Sequence, residues 1–102
     1  MKEYDIYVPL TYNDRSPVEP GKIRLIKERL LGEFGGLTYF PQRNEGYWQA
    51  GAITFYDQIV IFRVLAEDVS RARAVLKVLK EDLKEILRQE EVLIVERDVR
   101  VV

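Results

Sequence analysis

The sequence predicts an α+β fold in which two helices cover one face of a four-stranded antiparallel sheet. Strand-spaced and helix-spaced apolar residues follow one another along the 102-residue chain in the order β-α-β-β-α-β. Crossovers between parallel strands are right-handed, which places both helices on the same face of the sheet. This order within about 100 residues is the split βαβ, or ferredoxin-like, arrangement, and we expect residues 1–102 to form one such domain.

The first strand and the first helix occupy the first third of the chain. Residues 4–11 alternate well enough for a strand, in which Pro9 indicates either a bulge or the strand end. Ser16-Pro17-Val18-Glu19 has the form of a capping box, so the helix is predicted to begin there or a few residues later. Apolar residues then recur at helical spacing as far as Phe34, and Gly35-Gly36 supplies the stop, because glycine reaches positive φ without a Cβ clash.

A short strand and a long strand follow. The short strand is predicted over Leu37–Phe40, with Pro41 ending it and a loop running from there to Gly51. The long strand, Ile53–Leu65, is largely apolar on both faces, which predicts a central position in the sheet.

The last third of the chain predicts a second helix and an edge strand. Asp68 is a suitable N-cap for a helix that ends near Gln89, and its leucine stripe faces the core. The final strand begins at Val92–Val95, and the alternation that follows is typical of an edge strand.

The absence of cysteine and histidine excludes several kinds of chemistry. Disulfides, thiolate nucleophiles and the usual zinc and copper sites are ruled out, and so is a histidine general base. Any metal would have to be a hard cation held by oxygen ligands. We therefore expect neither a cofactor nor a resident metal.

The charge and apolar pattern exclude two classes of partner. A net charge of −1 provides no general field toward nucleic acid or an anionic membrane, and no apolar run approaches the length of a membrane helix. The N-terminus lacks the apolar core of a signal peptide, so we expect a cytoplasmic protein. Few amides among many charged and β-branched residues resemble the composition of heat-adapted proteins, which predicts thermostability.

Chain direction brings three polar segments to one end of the predicted sheet. The loop after the first strand, the loop between the second and third strands, and the turn after the second helix all arrive there. The predicted ligand site therefore consists of the polar and aromatic residues of these segments: Asn13, Asp14, Arg15, Arg43, Glu45, Tyr47, Trp48, Gln49 and Gln89.

The chemistry of that site points to a small, anionic molecule. Arg15 and Arg43 could hold a phosphate or carboxylate through paired hydrogen bonds, with Trp48 and Tyr47 as an apolar wall. The alternative for the arginines is an ordinary surface ion pair, worth about 0–1 kcal/mol. The alternative for the aromatic residues is packing over the hairpin or at a dimer contact.

One sheet face stays uncovered by helices, and a second copy of the chain is its simplest cover. Apolar residues on that face would mark an interface, since exposed apolar patches of several hundred Å² usually do. The predicted homodimer contact consists of Tyr7, Leu37, Tyr39, Ile59 and Ile61.

Two other functions stay open at this stage. An enzyme of the dimeric α+β-barrel kind would use Asp14, Glu45 or Asp57 as base and an arginine to stabilise negative charge. A protein interaction module would instead dock a partner through the loop that carries Trp48, which would then lie exposed with no cavity beside it.

Short motifs resemble a family of small bacterial domains of unknown function. They are Phe34-Gly35-Gly36-Leu37-Thr38, Gly46-Tyr47-Trp48, Ile53-Thr54 and Gln89-Glu90-Glu91-Val92-Leu93. In that family a Gly-Leu-Thr strand, a Gly-x-Trp loop and a Gln-Glu-x-Val-Leu turn recur at similar spacing. The resemblance covers roughly residues 4 to 96. It implies a ferredoxin-like fold and no established activity, and it marks the Trp48 loop and the Gln89 turn.

Overall fold

The computed structural model describes residues 1–102 and contains the six predicted elements in the predicted order. The four strands are Lys2–Pro9 (β1), Thr38–Ala50 (β2), Ile53–Ala66 (β3) and Ile94–Asp98 (β4). The two helices are Pro20–Phe34 (α1) and Val69–Ile86 (α2). The sheet order is β2-β3-β1-β4 with every neighbouring pair antiparallel, which confirms the ferredoxin-like prediction.

The core lies between the helices and one face of the sheet. Alternate residues of β1 and β3 point toward the helices, as the period of a strand requires. The sheet residues that are nearly or fully buried there are Tyr4, Ile6, Val8, Val60, Phe62 and Val64. Leu30 of α1 and Leu79 and Leu83 of α2 close the other side of the same cluster.

The observed helix ends agree in part with those predicted from the sequence. Asp68 caps α2, and its Oδ1 accepts a hydrogen bond from the Arg71 amide at 3.0 Å. Gly35 ends α1 with φ of +74°. The capping box at Ser16 was wrong: Ser16 belongs to the preceding turn, where its amide donates to Asp14 Oδ1 at 2.9 Å, and α1 begins only at Pro20.

The predicted loop from Pro41 to Gly51 is a strand instead. β2 continues through Pro41 to Ala50, and the pairing with β3 shifts register between Phe40 and Asn44. The proline is tolerated because β2 is an edge strand and the irregularity absorbs the missing donor. The chain turns only at Gly51, which has φ of +63°.

The β2–β3 pair projects beyond the rest of the sheet. The last β1 residue, Pro9, pairs with Ile59, so β3 before Ile59 has β2 as its only neighbour. We call this two-stranded projection, Glu45–Gln58, the ribbon.

The open face, away from the helices, is less apolar than predicted. Tyr39 stacks on Phe62 on the helix side, with ring centroids 4.7 Å apart, and Leu37 also packs against the core cluster. The prediction that Leu37 and Tyr39 lie on the open face was therefore wrong by one register step, which exchanges the two faces of a strand. Tyr7, Ile59 and Ile61 do lie on the open face and are half-buried.

Candidate functional site

Tyr12 is the centre of the end at which the predicted segments meet, which we call the hairpin end. Tyr12 is 6% exposed, and two cations lie near its ring. The Arg88 guanidinium is 4.7 Å from the ring centroid, and Lys22 Nζ is 4.9 Å from it. The hydroxyl donates to Glu19 and accepts from Lys22, whose ammonium also donates to the Ile86 carbonyl at 3.1 Å. These contacts join the loop after β1 to both helices.

Arg43 lies at the base of the ribbon, next to the start of the same loop. Its Nη1 donates to Gln58 Oε1 at 3.2 Å. The Gln58 carbonyl in turn accepts from the Leu10 amide at 2.8 Å. Gln58 therefore connects the Arg43 segment to the segment that leads to Tyr12.

Three arginines at the hairpin end have no carboxylate partner. No Asp or Glu oxygen lies within 4 Å of the side-chain nitrogens of Arg15, Arg43 or Arg88. The arginines on the sheet's open face and along the helices that do make ion pairs are Arg29, Arg63, Arg71, Arg73 and Arg97. Arg24 and Arg100 also make no ion pair, so the hairpin end differs only in having three such arginines in its segments. The Ser16 hydrogen bonds mainly lower the pKa of Asp14, and the charge of Arg88 adds to their effect.

The backbone at two of these arginines is unusual. Arg15 has φ of 70° and Arg88 has φ of 53°, and they are the only residues other than glycine with positive φ. The positive φ of Arg88 belongs to the end of α2, where the Arg88 amide donates to the Glu85 carbonyl and the Gln89 amide donates to the Lys84 carbonyl. Arg15 adopts it in the turn that its amide closes onto the Tyr12 carbonyl. Asp14 serves the turn itself, since its hydrogen bonds from Ser16 are the main cause that lowers the pKa of its carboxyl.

The other predicted ligand residues are divided between two places. Asn13 is exposed in the loop, and Gln89 is half-buried in the turn after α2, where its Nε2 donates to the Leu87 carbonyl at 3.2 Å. Glu45, Tyr47, Trp48 and Gln49 lie farther out, on the ribbon.

The ribbon separates Tyr47 from Trp48, because neighbouring residues of a strand point to opposite faces. Tyr47 tilts against Tyr56 at 5.1 Å and donates to Glu45 Oε2 at 2.9 Å. Trp48 stacks on Phe55 at 5.9 Å on the opposite side. The two aromatic residues therefore do not form one wall, and the expected pocket between them and the arginines is not built by this chain.

The three candidate carboxylates differ in their surroundings. Asp14 and Glu45 are exposed. Asp57 is half-buried on the ribbon, and burial raises the pKa of its carboxyl. Its carboxylate has no hydrogen-bond or ion-pair partner in the chain.

A buried ion cluster on the open face was missed by the sequence analysis. Asp5 is 2% exposed, and Arg63 binds it through Nε at 2.8 Å and Nη2 at 3.0 Å. Arg97 adds a third contact at 2.8 Å, and Glu3 forms ion pairs with Arg63 at 3.1 Å and with Arg97 at 3.6 Å. Hydrogen bonds from Arg63 are the main cause that lowers the pKa of Asp5. Only the strand register reveals this cluster, because the three strands that supply it are far apart in the chain.

Two shallow grooves lie at the opposite end of the sheet from the hairpin end. Their volumes are about 280 Å³ and 350 Å³, and both are lined by Phe34 and Leu65. No group of three or more carboxylates comes together in an arrangement that could hold a metal ion. Neither helix has the length and apolar character needed to cross a bilayer.

Comparison with known proteins shows similarity in fold but not in sequence. No family model matches the chain, and no curated protein matches it. A phage SAM lyase in complex with S-methyl-5'-thioadenosine is similar with a TM-score of 0.67 at 16% identity, over 95% of this chain and 80% of the lyase.

Two CutA1 proteins are similar to the same extent. The divalent cation tolerance protein CutA1 from Thermus thermophilus has a TM-score of 0.66 at 18% identity, over 100% of this chain and 87% of its own. CutA1 from Pyrococcus horikoshii has a TM-score of 0.62 at 16% identity, over 100% and 86%. At these identities the similarity shows a shared fold and leaves the function open.

Proposed function

We propose that this protein binds a small anionic molecule at the hairpin end, between the loop after β1, the turn after α2 and the base of the ribbon. The observation that carries the proposal is the group of three arginines without carboxylate partners, Arg15, Arg43 and Arg88, at that end. Guanidinium groups bind phosphate and carboxylate through paired hydrogen bonds, so free ones in one place favour such a ligand.

The surroundings of these arginines support the same proposal. The hydroxyl contacts of Tyr12 fix the position of its ring, and the Arg88 guanidinium packs over that ring. The position of Arg88 is therefore fixed as well. Arg43 keeps part of its guanidinium available, because its only side-chain partner is the neutral Gln58. Asn13 and Gln89 can add neutral hydrogen bonds at the rim. The phage SAM lyase has a similar fold and binds a small nucleoside, but S-methyl-5'-thioadenosine carries no anionic group, so the anionic character of the proposed ligand rests on the arginines alone.

The proposal is tested by anion titration of the purified protein and of arginine variants. Phosphate, pyrophosphate and citrate are titrated by calorimetry at low ionic strength, with thermal stability as a second readout. Arg88→Gln and Arg43→Gln should each weaken binding by roughly 10-fold or more, since a hydrogen bond to a charged group contributes about 1.5–3 kcal/mol.

Arg100→Gln is the matched control, because Arg100 also lacks a carboxylate partner but follows β4 near the N-terminus of the chain. It should leave the affinity unchanged. Equal weakening by Arg88→Gln and Arg100→Gln would show a general charge effect and contradict the proposed site.

A carboxylate enzyme is the second proposal, and Asp57 is the observation that favours it. Of the three candidate bases it is the half-buried one, and a raised carboxyl pKa brings a base closer to neutral pH. Incubation with S-adenosylmethionine, followed by chromatography for S-methyl-5'-thioadenosine, tests the activity that the SAM lyase similarity raises. We expect product with the wild type and none with Asp57→Asn; wild-type protein without product would exclude that reaction.

Self-association and a cytoplasmic location complete the proposal. An open sheet face is a common contact between identical chains, and residues of that face are considered next.

A further inference from the structure

One side of the β2–β3 pair is nearly free of charge. The residues that point to this side, from the open face of the sheet out to the ribbon tip, alternate with those of the other side. We call them the apolar strip: Phe40, Asn44, Gly46, Trp48 and Ala50 of β2, and Ile53, Phe55, Asp57, Ile59 and Ile61 of β3. Asp57 is the single charged member.

The opposite side of the same ribbon has a different character. Its members carry hydroxyl, amide or carboxylate groups: Glu45, Tyr47, Gln49, Thr54, Tyr56 and Gln58. Several of these groups bond to each other, as Gln49 Nε2 does to Thr54 Oγ1 at 3.3 Å. The polar groups of this side can be hydrated by solvent, whereas the apolar strip exposes mainly hydrocarbon surface.

The apolar strip is also exposed where the ribbon projects. Ile53 is 61% exposed, Trp48 48% and Phe55 43%. A two-stranded hairpin is marginally stable in water by itself, and no other element of the chain covers this side. The ribbon therefore lacks the packing partner that a stable hairpin requires.

We propose that a second copy of this chain covers the apolar strip, so that the protein is a homo-oligomer held together through the ribbon and the adjoining open face. This inference rests on the self-association in the proposed function and locates its surface. It retains Ile59 and Ile61 from the predicted interface, with Tyr7 beside Ile61 on the adjoining open face. It replaces Leu37 and Tyr39, which lie on the helix side.

The area of the strip fits an interface between copies. If each large side chain offers about 150–250 Å², then Trp48, Ile53 and Phe55 expose roughly 300 Å² together. With its remaining members the strip reaches roughly 500 Å², which is at the upper end for a patch on a monomer. A standard interface takes about 800 Å² from each partner, and a polar rim around an apolar centre supplies the difference.

The absence of charge favours an identical partner over an acidic or basic one. Within the strip there is a single carboxylate, and Arg63, the next β3 residue on this side, lies 4.9 Å from the Phe40 ring but is bound to Asp5. The strip therefore has no charge pattern that would select a different protein. Asp57 itself lies in the middle of the strip, opposite Gly46, and has apolar members on both sides. Its desolvation in the interface opposes association, since no group of the chain compensates it. An interface that covers Asp57 also keeps substrate away from it, so this inference and the carboxylate enzyme exclude each other.

The test is analytical ultracentrifugation of the full chain and four variants. The wild type should sediment as a defined oligomer of two or more chains at micromolar concentration. Trp48→Lys and Phe55→Lys should each raise the dissociation constant by more than 100-fold. Asp57→Asn should lower it by roughly 3-fold or more, because it removes the only charge in the strip.

Tyr56→Lys is the matched control, since Tyr56 lies on the same ribbon with 48% exposure and points to the other side. It should change the dissociation constant by less than 3-fold. A wild type that is monomeric up to about 100 μM would overturn the proposal. So would equal dissociation by Tyr56→Lys and Trp48→Lys, or no dissociation by Trp48→Lys and Phe55→Lys. Circular dichroism shows whether each variant is folded.

The anion titration separates this inference from the ligand proposal. A monomeric, folded Trp48→Lys variant that still binds pyrophosphate supports both proposals as independent features. An oligomeric wild type that binds no anion contradicts the ligand site alone and leaves the strip as the interface.

Discussion

At the scale of single residues, the strongest electrostatic contacts of this chain are structural. Arg73 of α2 binds Glu96 of β4 through two hydrogen bonds of 2.8 Å, and Tyr4 donates a third at 2.8 Å. The hydrogen bonds from Arg73 are the main cause that lowers the pKa of Glu96, to about 2. Asp5 shows the same direction of shift, caused mainly by Arg63. Asp5 links β1 to β3 and β4, and Glu96 links β4 to β1 and α2. Neither carboxylate lies at the hairpin end.

The lowered pKa values of Glu96 and Asp5 predict acid sensitivity. A carboxyl whose pKa is lower in the folded state contributes stability that is complete above its unfolded pKa and is lost as pH falls toward the folded value. Urea unfolding should therefore give a constant free energy between pH 7 and about pH 5, and a decrease from there toward pH 2. In Glu96→Gln that decrease should be smaller. An unchanged pH profile in the variant would show that Glu96 contributes nothing to acid stability.

At the scale of elements, β2 continues through a proline that predicted its end, because β2 lies at the edge of the sheet. Pro41 reads as a strand end, yet β2 runs on for nine residues after it. An edge strand has one side without ladder bonds, so a proline and a register shift disturb little there. Cross-strand aromatic pairs beyond the shift, Tyr47–Tyr56 and Trp48–Phe55, then stabilise the pairing.

Two glycines of the α1 region allow a matched test of backbone conformation. Gly35 has φ of +74° and Gly32 lies inside the helix, and a Cβ at either position would meet no atom within 4 Å. Gly35→Ala should lower the free energy of unfolding by about 1 kcal/mol, since alanine is disfavoured at positive φ. Gly32→Ala should raise it by up to about 1 kcal/mol through helix propensity. Thermal or urea unfolding measures both, and a destabilised Gly32→Ala would contradict the proposed conformational cause.

At the scale of the whole molecule, the proposed ligand site and the proposed interface occupy different regions. The three arginines without carboxylate partners belong to segments at the hairpin end, whereas the apolar strip follows one side of the ribbon and the open face. The molecule is elongated, with dimensions of 41 × 30 × 24 Å, because the ribbon projects from the sheet. The resemblance to a bacterial family of unknown function, the cytoplasmic location and the thermostability stay predictions.

Local periodicity and backbone preference were enough to predict the order of elements, the central β3, the Asp68 cap and the glycine stop after α1. The predicted strand and helix directions also assigned the segments that contain Arg15, Arg43 and Gln89 to the same end of the sheet. The face that each strand residue occupies could not be predicted in this way, since register depends on pairing between strands that are distant in the chain. That pairing put Tyr39 in the core, buried Asp5 between Arg63 and Arg97, and sent Trp48 and Tyr47 to opposite sides of the ribbon.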